Sequence, residues 1–316
     1  MIVDIILLII GFVLLIKGAD FFVEGASSTA QNFKVSKTLI GLTVMAFGTS
    51  APEFAISLKS LANGSTDILL GNVIGSNILN ALLIVGLAAM IKPLIINKNT
   101  LKKEIPFVML ISTLLVTLFL DNKLGSTTSN QITRSDGIVI ILFFLIFLYY
   151  LITLAKQKKN EKNDFEPKYK LYKSLILFAI GLAGIIIGSD LVVNKAASIA
   201  QYLKISERII SLTVIAIGTS LPELVTTIVS VKKGEQGLLI GNIIGSNIFN
   251  ICIVLGIPVT IYGTITPSDF QIIDLIMLIA SSTLLFIFAS TRKKITRLEG
   301  WLMFLVFLLY YTSLFI

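Results

Sequence analysis

Ten apolar blocks, separated by short polar segments, run the length of this 316-residue chain. They cover roughly Ile2–Val23, Lys37–Leu61, Asp67–Ile91, Ile105–Leu120 and Gly137–Leu154, then Ser174–Val193, Arg208–Val231, Gly237–Tyr262, Phe270–Ser290 and Leu298–Ile316. Most approach the ~20 apolar residues that a membrane-spanning helix needs. None shows the short alternating segments of a membrane β-barrel. The pattern predicts an all-α integral membrane protein with ten transmembrane helices. The first block has no basic region ahead of it, so a first membrane helix is expected rather than a cleaved signal peptide. The longest hydrophilic stretch, Lys156–Lys170, divides the blocks five and five.

The two fives repeat each other. Glu53 corresponds to Glu223, Asn80 to Asn250 and Asp20 to Asp190, all at one offset of 170 residues. Between Gly11–Asn80 and Gly181–Asn250 no gap is needed, and nearly half the positions are identical. The match is richest in polar residues, which a shared apolar composition would not align. An odd number of helices per half sends the second half into the membrane from the opposite side. The expected plan is two inverted five-helix repeats, residues 1–155 and 174–316, joined by a linker, 156–173. Loop charge orients them. Of the 26 Lys and Arg, 19 fall in loops on one side, from Lys34 and Lys37 through the linker to Arg297. The positive-inside rule makes those loops cytoplasmic. A multi-pass protein of the cell membrane is expected, with the linker inside and both termini outside.

Composition sharpens this picture and excludes others. Only 14% of residues are charged, against roughly 25% in soluble domains. The mean hydropathy is +0.92, so too little polar surface exists for a water-facing exterior. The net charge of +8 sits in loops without interleaved aromatic residues, which argues against a nucleic-acid partner. The lipid bilayer is the expected partner, and no obligate protein partner is indicated. The chain has no histidine, which excludes His-based zinc sites and His proton relays. Cys252 is the only cysteine and reads as a small apolar helix residue.

Against this background, carboxylates inside apolar runs stand out, because a charge in hydrocarbon is costly and is kept where it binds something. Gly41-Leu42-Thr43-Val44-Met45-Ala46-Phe47-Gly48-Thr49-Ser50-Ala51-Pro52-Glu53 recurs as Ser211-Leu212-Thr213-Val214-Ile215-Ala216-Ile217-Gly218-Thr219-Ser220-Leu221-Pro222-Glu223. Each proline lacks an amide hydrogen, so carbonyls near Ala46 and Gly48, and near Ala216 and Gly218, are expected to be left free for an ion. A second stretch, Gly71-Asn72-Val73-Ile74-Gly75-Ser76-Asn77-Ile78-Leu79-Asn80, recurs from Gly241 to Asn250. Its Ser76 and Asn80, like Ser246 and Asn250, are four apart and share a helix face. The combined donors are two carboxylates, the hydroxyls of Thr49, Ser50, Ser76, Thr219, Ser220 and Ser246, the amide oxygens of Asn80 and Asn250, and free carbonyls. All are oxygens, which suits Ca²⁺ and Na⁺.

Blander readings apply to many of these residues one at a time. Ser and Thr in membrane helices bond back to their own backbone, Gly permits close packing, and Pro kinks. A purely structural role is hardest to sustain for Glu53 and Glu223. Asp20 and Asp190 are read as structural anchors, Lys17 and Lys59 as snorkelling side chains, and Asp136, Asp269 and Asp274 as helix caps.

The duplicated Gly-X-Thr-Val-X-Ala-X-Gly-Thr-Ser-X-Pro-Glu and Gly-Asn-X-Ile-Gly-Ser-Asn-Ile motifs resemble the α-repeats of the calcium:cation antiporter superfamily, and prokaryotic sodium/calcium exchangers in particular. The resemblance covers essentially the whole chain. It implies electrogenic exchange of Na⁺ for Ca²⁺ by alternating access, with the first and sixth helices sliding across a fixed core. By motif position, Glu53 and Glu223 would bind Ca²⁺ with Thr49 and Thr219. Ser50, Ser220, Ser76, Ser246, Ala46, Ala216, Asn80 and Asn250 would complete the Na⁺ sites. Several relatives carry Asp where this chain has Asn80 and Asn250. Here only two carboxylates remain, enough for Ca²⁺, whereas three Na⁺ would leave net positive charge.

The sequence therefore predicts a secondary antiporter for Na⁺ and Ca²⁺ with no cofactor. An H⁺/Ca²⁺ antiporter on the same fold is the alternative, and a passive cation channel ranks below it. An intramembrane enzyme has little support, since no nucleophile or metal-ligand set accompanies the two glutamates.

Overall fold

A computed structural model of the protein describes residues 2–120, 130–158, 167–203, 216–266 and 272–314. Residues 159–166 of the linker lie outside these, as do the start of the seventh block, Ser211–Ile215 of the second motif copy, and Asp269. Among the described residues every apolar block carries helix. In chain order these are α1 (Ile2–Asn32), α2 (Lys37–Thr49), α3 (Ala51–Ala62), α4 (Thr66–Ile91), α5 (Ile105–Phe119), α6 (Arg134–Lys158), α7 (Leu171–Tyr202), α8 (Ala216–Thr219), α9 (Leu221–Lys232), α10 (Gln236–Tyr262), α11 (Ile272–Arg292) and α12 (Arg297–Ser313). The α2–α3 pair is broken at Ser50 and bent by 44°. Six helices, α1, α4, α6, α7, α10 and α11, are long and apolar enough to cross a membrane, and the bent pair makes a seventh candidate. The protein is thus an all-helical membrane protein with about six apolar spans. α5, with 15 residues, and α12, with 17, are shorter.

Local sequence fixes the ends. Ser36 opens α2 by accepting the Leu39 N–H at 3.2 Å. α3 and α9 close with the same left-handed turn, Gly64 at φ +76° and Gly234 at φ +73°. In both, the following N–H reaches back five residues, Ser65 to Ser60 and Glu235 to Ser230, each at 2.8 Å. Only glycine takes that turn without strain. Asp136 caps α6, accepting from the Thr133 N–H at 2.7 Å and hydroxyl at 2.6 Å. Thr296 and Glu299 form a capping box on α12. Asp274 makes a longer tie than its expected cap. It accepts the Tyr310 hydroxyl at 2.7 Å from α12. The first half carries a similar pair, in which Tyr150 of α6 donates to Glu104 at 2.9 Å.

The chain forms two compact units, residues 1–52 with 154–242, and residues 53–153 with 243–316. Each takes helices from both halves of the sequence. In the first unit, α1 and α7 run antiparallel along a glycine seam. Gly11 lies against Gly188, Gly18 against Gly181, and Gly25 against Ser174. A methyl group on Gly188 would come within 2.6 Å of the Leu15 amide nitrogen, so no side chain fits between the backbones. These contacts are reciprocal, because Gly181 and Gly188 are the counterparts of Gly11 and Gly18. Leu15, Phe22, Met45, Ile185, Val229 and Leu238 build the apolar core beside the seam. At one end, Lys233 pairs with Asp20 at 3.3 Å and Glu24 at 3.0 Å, and Lys37 with Glu235 at 2.7 Å. Asp20 is thereby anchored. The end of the linker docks there too, with the Tyr169 N–H donating to Ser28 at 3.0 Å.

In the second unit, α4 packs against α10, α11 and α12, and α11 packs against α5. Gly86 of α4 and Gly300 of α12 let those backbones touch. A two-residue strand, β1 (Leu94–Ile95), pairs antiparallel with β2 (Lys294–Ile295). An isolated bridge, Ile132 with Ile265, makes the equivalent tie between the other loops.

Candidate functional site

The two motifs place buried oxygen donors in each unit. In the first unit, the chain breaks between α2 and α3 and between α8 and α9. Ser50 stands in the first break and Ser220 in the second. Both are buried, as are Thr49 and Glu223, whereas Thr219 is partly exposed. The Ser50 hydroxyl donates to Glu223 Oε1 at 3.0 Å, bringing together residues 173 apart in the chain. Thr49 donates to Asn242 Oδ1 at 3.2 Å, and the Asn242 amide reaches Thr226 at 3.4 Å.

The expectation of free carbonyls is corrected in two places. Ala46 O accepts the Ser50 N–H at 3.0 Å and the Thr49 hydroxyl at 3.4 Å. The bend falls after Ser50, so the last turn of α2 is still closed. Pro222 does remove the usual partner of Gly218 O, but the Ser189 hydroxyl from α7 fills that place at 3.1 Å. Ala216 opens α8, and its side chain lies outside the described residues.

In the second unit, Glu53 stands one residue after Pro52 in the first turn of α3, 1% exposed. Its carbonyl accepts from the Asn72 amide at 3.1 Å, and the same amide reaches Ser57 at 3.1 Å. Asn80 and Asn250 each begin or adjoin a π-helical stretch, Leu79–Ile84 in α4 and Asn250–Leu255 in α10. Such widened turns occur frequently at functional sites. Here the same motif position carries one in each half. The Asn80 amide donates to Asn247 Oδ1 at 3.0 Å, and the Asn250 amide to Ser76 Oγ at 3.0 Å. Each asparagine thus bonds across to the other half of the sequence, Asn80 to the copy of Asn77 and Asn250 to Ser76, the residue beside Asn77. Ser246 is fully buried.

The Oδ1 atoms of Asn80 and Asn250 are buried and accept no hydrogen bond. A buried carbonyl oxygen with nothing to accept is unusual. A hard cation is a partner that such an oxygen could accept. Thus Thr49, Ser50 and Glu223 come together in the first unit, and Ser76, Asn80 and Asn250 in the second, where Glu53 and Ser246 also lie. Asn72, Asn77, Asn242 and Asn247 were not among the candidates, yet Asn72, Asn242 and Asn247 hold the candidates in place. Their signal was present, since they are the remaining asparagines of the duplicated motif.

Comparison with known proteins agrees with this chemistry. The sodium/calcium exchanger protein family matches residues 3–153 and 173–316. A protein named as an antiporter, CaxA of Alkalimonas amylolytica, is 37% identical over 318 residues, covering 100% of this chain and 99% of its own. Sodium/calcium exchanger MaX1 of Methanosarcina acetivorans is 30% identical, with 99% of each chain covered. A solved structure of the sodium-calcium exchanger NCX_Mj superposes with a TM-score of 0.86 at 34% identity, over 99% of each chain.

Proposed function

The chain belongs to the sodium/calcium exchanger family, whose members are cation antiporters rather than enzymes, and from that premise we propose that it exchanges Na⁺ for Ca²⁺ by alternating access. Glu53 and Glu223 supply the negative charge of the ion site. Thr49 and Thr219 join them around Ca²⁺, while Ser50, Ser220, Ser76, Ser246, Asn80, Asn250, Ala46 and Ala216 complete the Na⁺ sites. The observation that carries this reading is the pair of buried glutamates at equivalent motif positions, each among buried oxygen donors.

Coupling follows from the cost of buried charge. Two ionised carboxylates without a cation are expensive to move through a low-dielectric barrier. The loaded site is close to neutral and can cross. Ca²⁺ and Na⁺ compete for the same oxygens, so one ion must leave before the other binds.

The proposed frame is ten spans in two inverted repeats, 1–155 and 174–316, with the linker 156–173 cytoplasmic and both termini outside. The reciprocal contacts at the glycine seam, and the bonds of Asn80 and Asn250 each to the other half, support it. α5 and α12 then count as short spans, and the bent helix pairs as broken ones.

Purified protein in Na⁺-loaded vesicles tests the function by ⁴⁵Ca²⁺ uptake. Uptake is expected to need the outward Na⁺ gradient. Uptake that ignores Na⁺ and follows a pH gradient would establish H⁺/Ca²⁺ exchange instead. Passage of Ca²⁺ with no counter-ion gradient would make the protein a channel.

A further inference from the structure

One end of the first unit is tied by charged residues that the repeat does not duplicate. Asp20, Glu24 and Ser27 are spaced four and three apart, so they share one face of α1. Lys233, in the turn between α9 and α10, reaches Glu24 at 3.0 Å and Asp20 at 3.3 Å. It also donates to the Asp20 carbonyl at 3.1 Å. Ser27 donates to Glu235 at 3.0 Å, and Lys37 at the start of α2 holds Glu235 at 2.7 Å. Two ties thus fasten α1 to parts of the chain outside the α1–α7 pair.

Lys168 and Tyr169 belong to the pair itself. They come just before α7, and the Tyr169 backbone is bound to Ser28 and Asn32 of α1. Both reach the same Glu24, the Lys168 ammonium at 3.2 Å and the Tyr169 hydroxyl at 3.1 Å. Glu24 is therefore shared between a lysine attached to α7 and a lysine from the α9–α10 turn.

The duplication supplies an internal comparison. Gly64 and Gly234 close equivalent turns, and Asp20 recurs as Asp190. The positions equivalent to Glu24, Ser27, Lys233 and Glu235 are Asn194, Ala197, Asn63 and Ser65, none of them charged. Ties that the fold itself requires are present in both copies, as the seam glycines and the turn glycines are. These ties exist in one copy only.

We propose that Asp20, Glu24 and Ser27 form, with Lys233 and Glu235, a one-sided latch that releases each time its end of α1 opens. The proposed topology places that end in the cytoplasm. The inference rests on the proposed alternating access, with α1 and α7 sliding together against the other helices. On release Lys168 stays with Glu24, so the carboxylate does not stand uncompensated. The two lysines therefore act in opposite senses. Lys233 favours the closed end, and Lys168 lowers the cost of opening it.

The test measures half-saturating Ca²⁺ for Na⁺-driven flux from each side, in vesicles of known orientation. Apparent affinity at one side follows the fraction of protein open to that side. Lys233→Gln is expected to lower the half-saturating Ca²⁺ on the cytoplasmic side about two- to fivefold, the range of an exposed ion pair, and to raise it on the other. Lys168→Gln is expected to shift both values the opposite way. No shift, shifts of one sign in both variants, or an equal loss of flux from both sides overturns the latch and leaves exchange standing. Absence of Na⁺-driven Ca²⁺ flux in the unaltered protein overturns the exchange reading, and this inference with it. A second measurement pairs Glu24→Cys with Lys233→Cys and bridges them with a short bis-methanethiosulfonate. Cys252 is buried and gives little background. Bridging is expected to stop turnover until a reductant cuts the bridge. Full turnover in the bridged protein overturns the proposal.

Discussion

Glu223 is wholly buried, and the carboxylate oxygen that Ser50 reaches is held by a bond between distant parts of the chain. Hydrogen bonds to charged groups contribute roughly 1.5–3 kcal/mol. Ser50→Ala is therefore expected to weaken Ca²⁺ binding about 10- to 100-fold, read as a rise in the Ca²⁺ concentration needed for half-maximal flux. Glu53→Gln and Glu223→Gln keep side-chain volume and remove the charge. Each is expected to abolish Na⁺-dependent ⁴⁵Ca²⁺ uptake while the protein still elutes as a single folded species. Wild-type-like flux in either would sink the site assignment. At this scale the sequence was legible where a residue was out of place in its surroundings. Glu53 and Glu223 were conspicuous in apolar runs, and Asn80 and Asn250 were marked by duplication. Asn242 was not among the candidates, although it lies in the duplicated motif. Its bond from Thr49 spans 193 residues, which no local pattern encodes. The Gly218 carbonyl was expected to be free for the same kind of reason, since its partner Ser189 arrives from another helix.

Helices were legible as apolar runs, but how they touch was not. The glycines of α1 and α7 looked like ordinary membrane-helix glycines, and only the fold shows them facing one another. Small residues at such a crossing let van der Waals contact and backbone approach replace side-chain packing. A Cβ on Gly181 would collide with the Phe22 backbone, whereas one on Gly71 meets nothing within 4 Å. Gly181→Ala is therefore expected to lower thermal stability in detergent, by about 1–3 kcal/mol from overpacking. Gly71→Ala is expected to leave it unchanged or raise it, by up to ~1 kcal/mol from helix propensity. Equal losses in both would mean that the seam is not what orders these helices. The break at Ser50 was legible from Pro52, although it falls later than expected and leaves the Ala46 carbonyl occupied. The π-helical stretches at Leu79–Ile84 and Asn250–Leu255 were not legible, because one extra residue per turn leaves no mark on the hydropathy of a membrane helix.

For the whole molecule, hydropathy yields ten blocks, whereas helix length alone yields six spans among the described residues, or seven with the bent pair. The difference lies in α5 and α12, which are short, and in broken segments that no length criterion counts whole. Labelling decides the topology directly. Cys252 is buried, so the native thiol gives little background. In right-side-out cells, Thr133→Cys is expected to react with a membrane-impermeant maleimide, and Lys98→Cys only after permeabilisation. The reverse pattern would invert the proposed orientation. The glycine seam carries one more consequence. Gly11 meets the copy of Gly18, and Gly18 meets the copy of Gly11. That is the form of a self-complementary interface between two identical antiparallel chains related by a two-fold axis. A half-length ancestor inserting into the bilayer in both orientations would have possessed both sides of it, and the linker would then have joined two partners already matched. The duplicated glycines are also bound to one another's history. A bulky residue accepted at position 11 or 18 in one copy would have to be answered by the other.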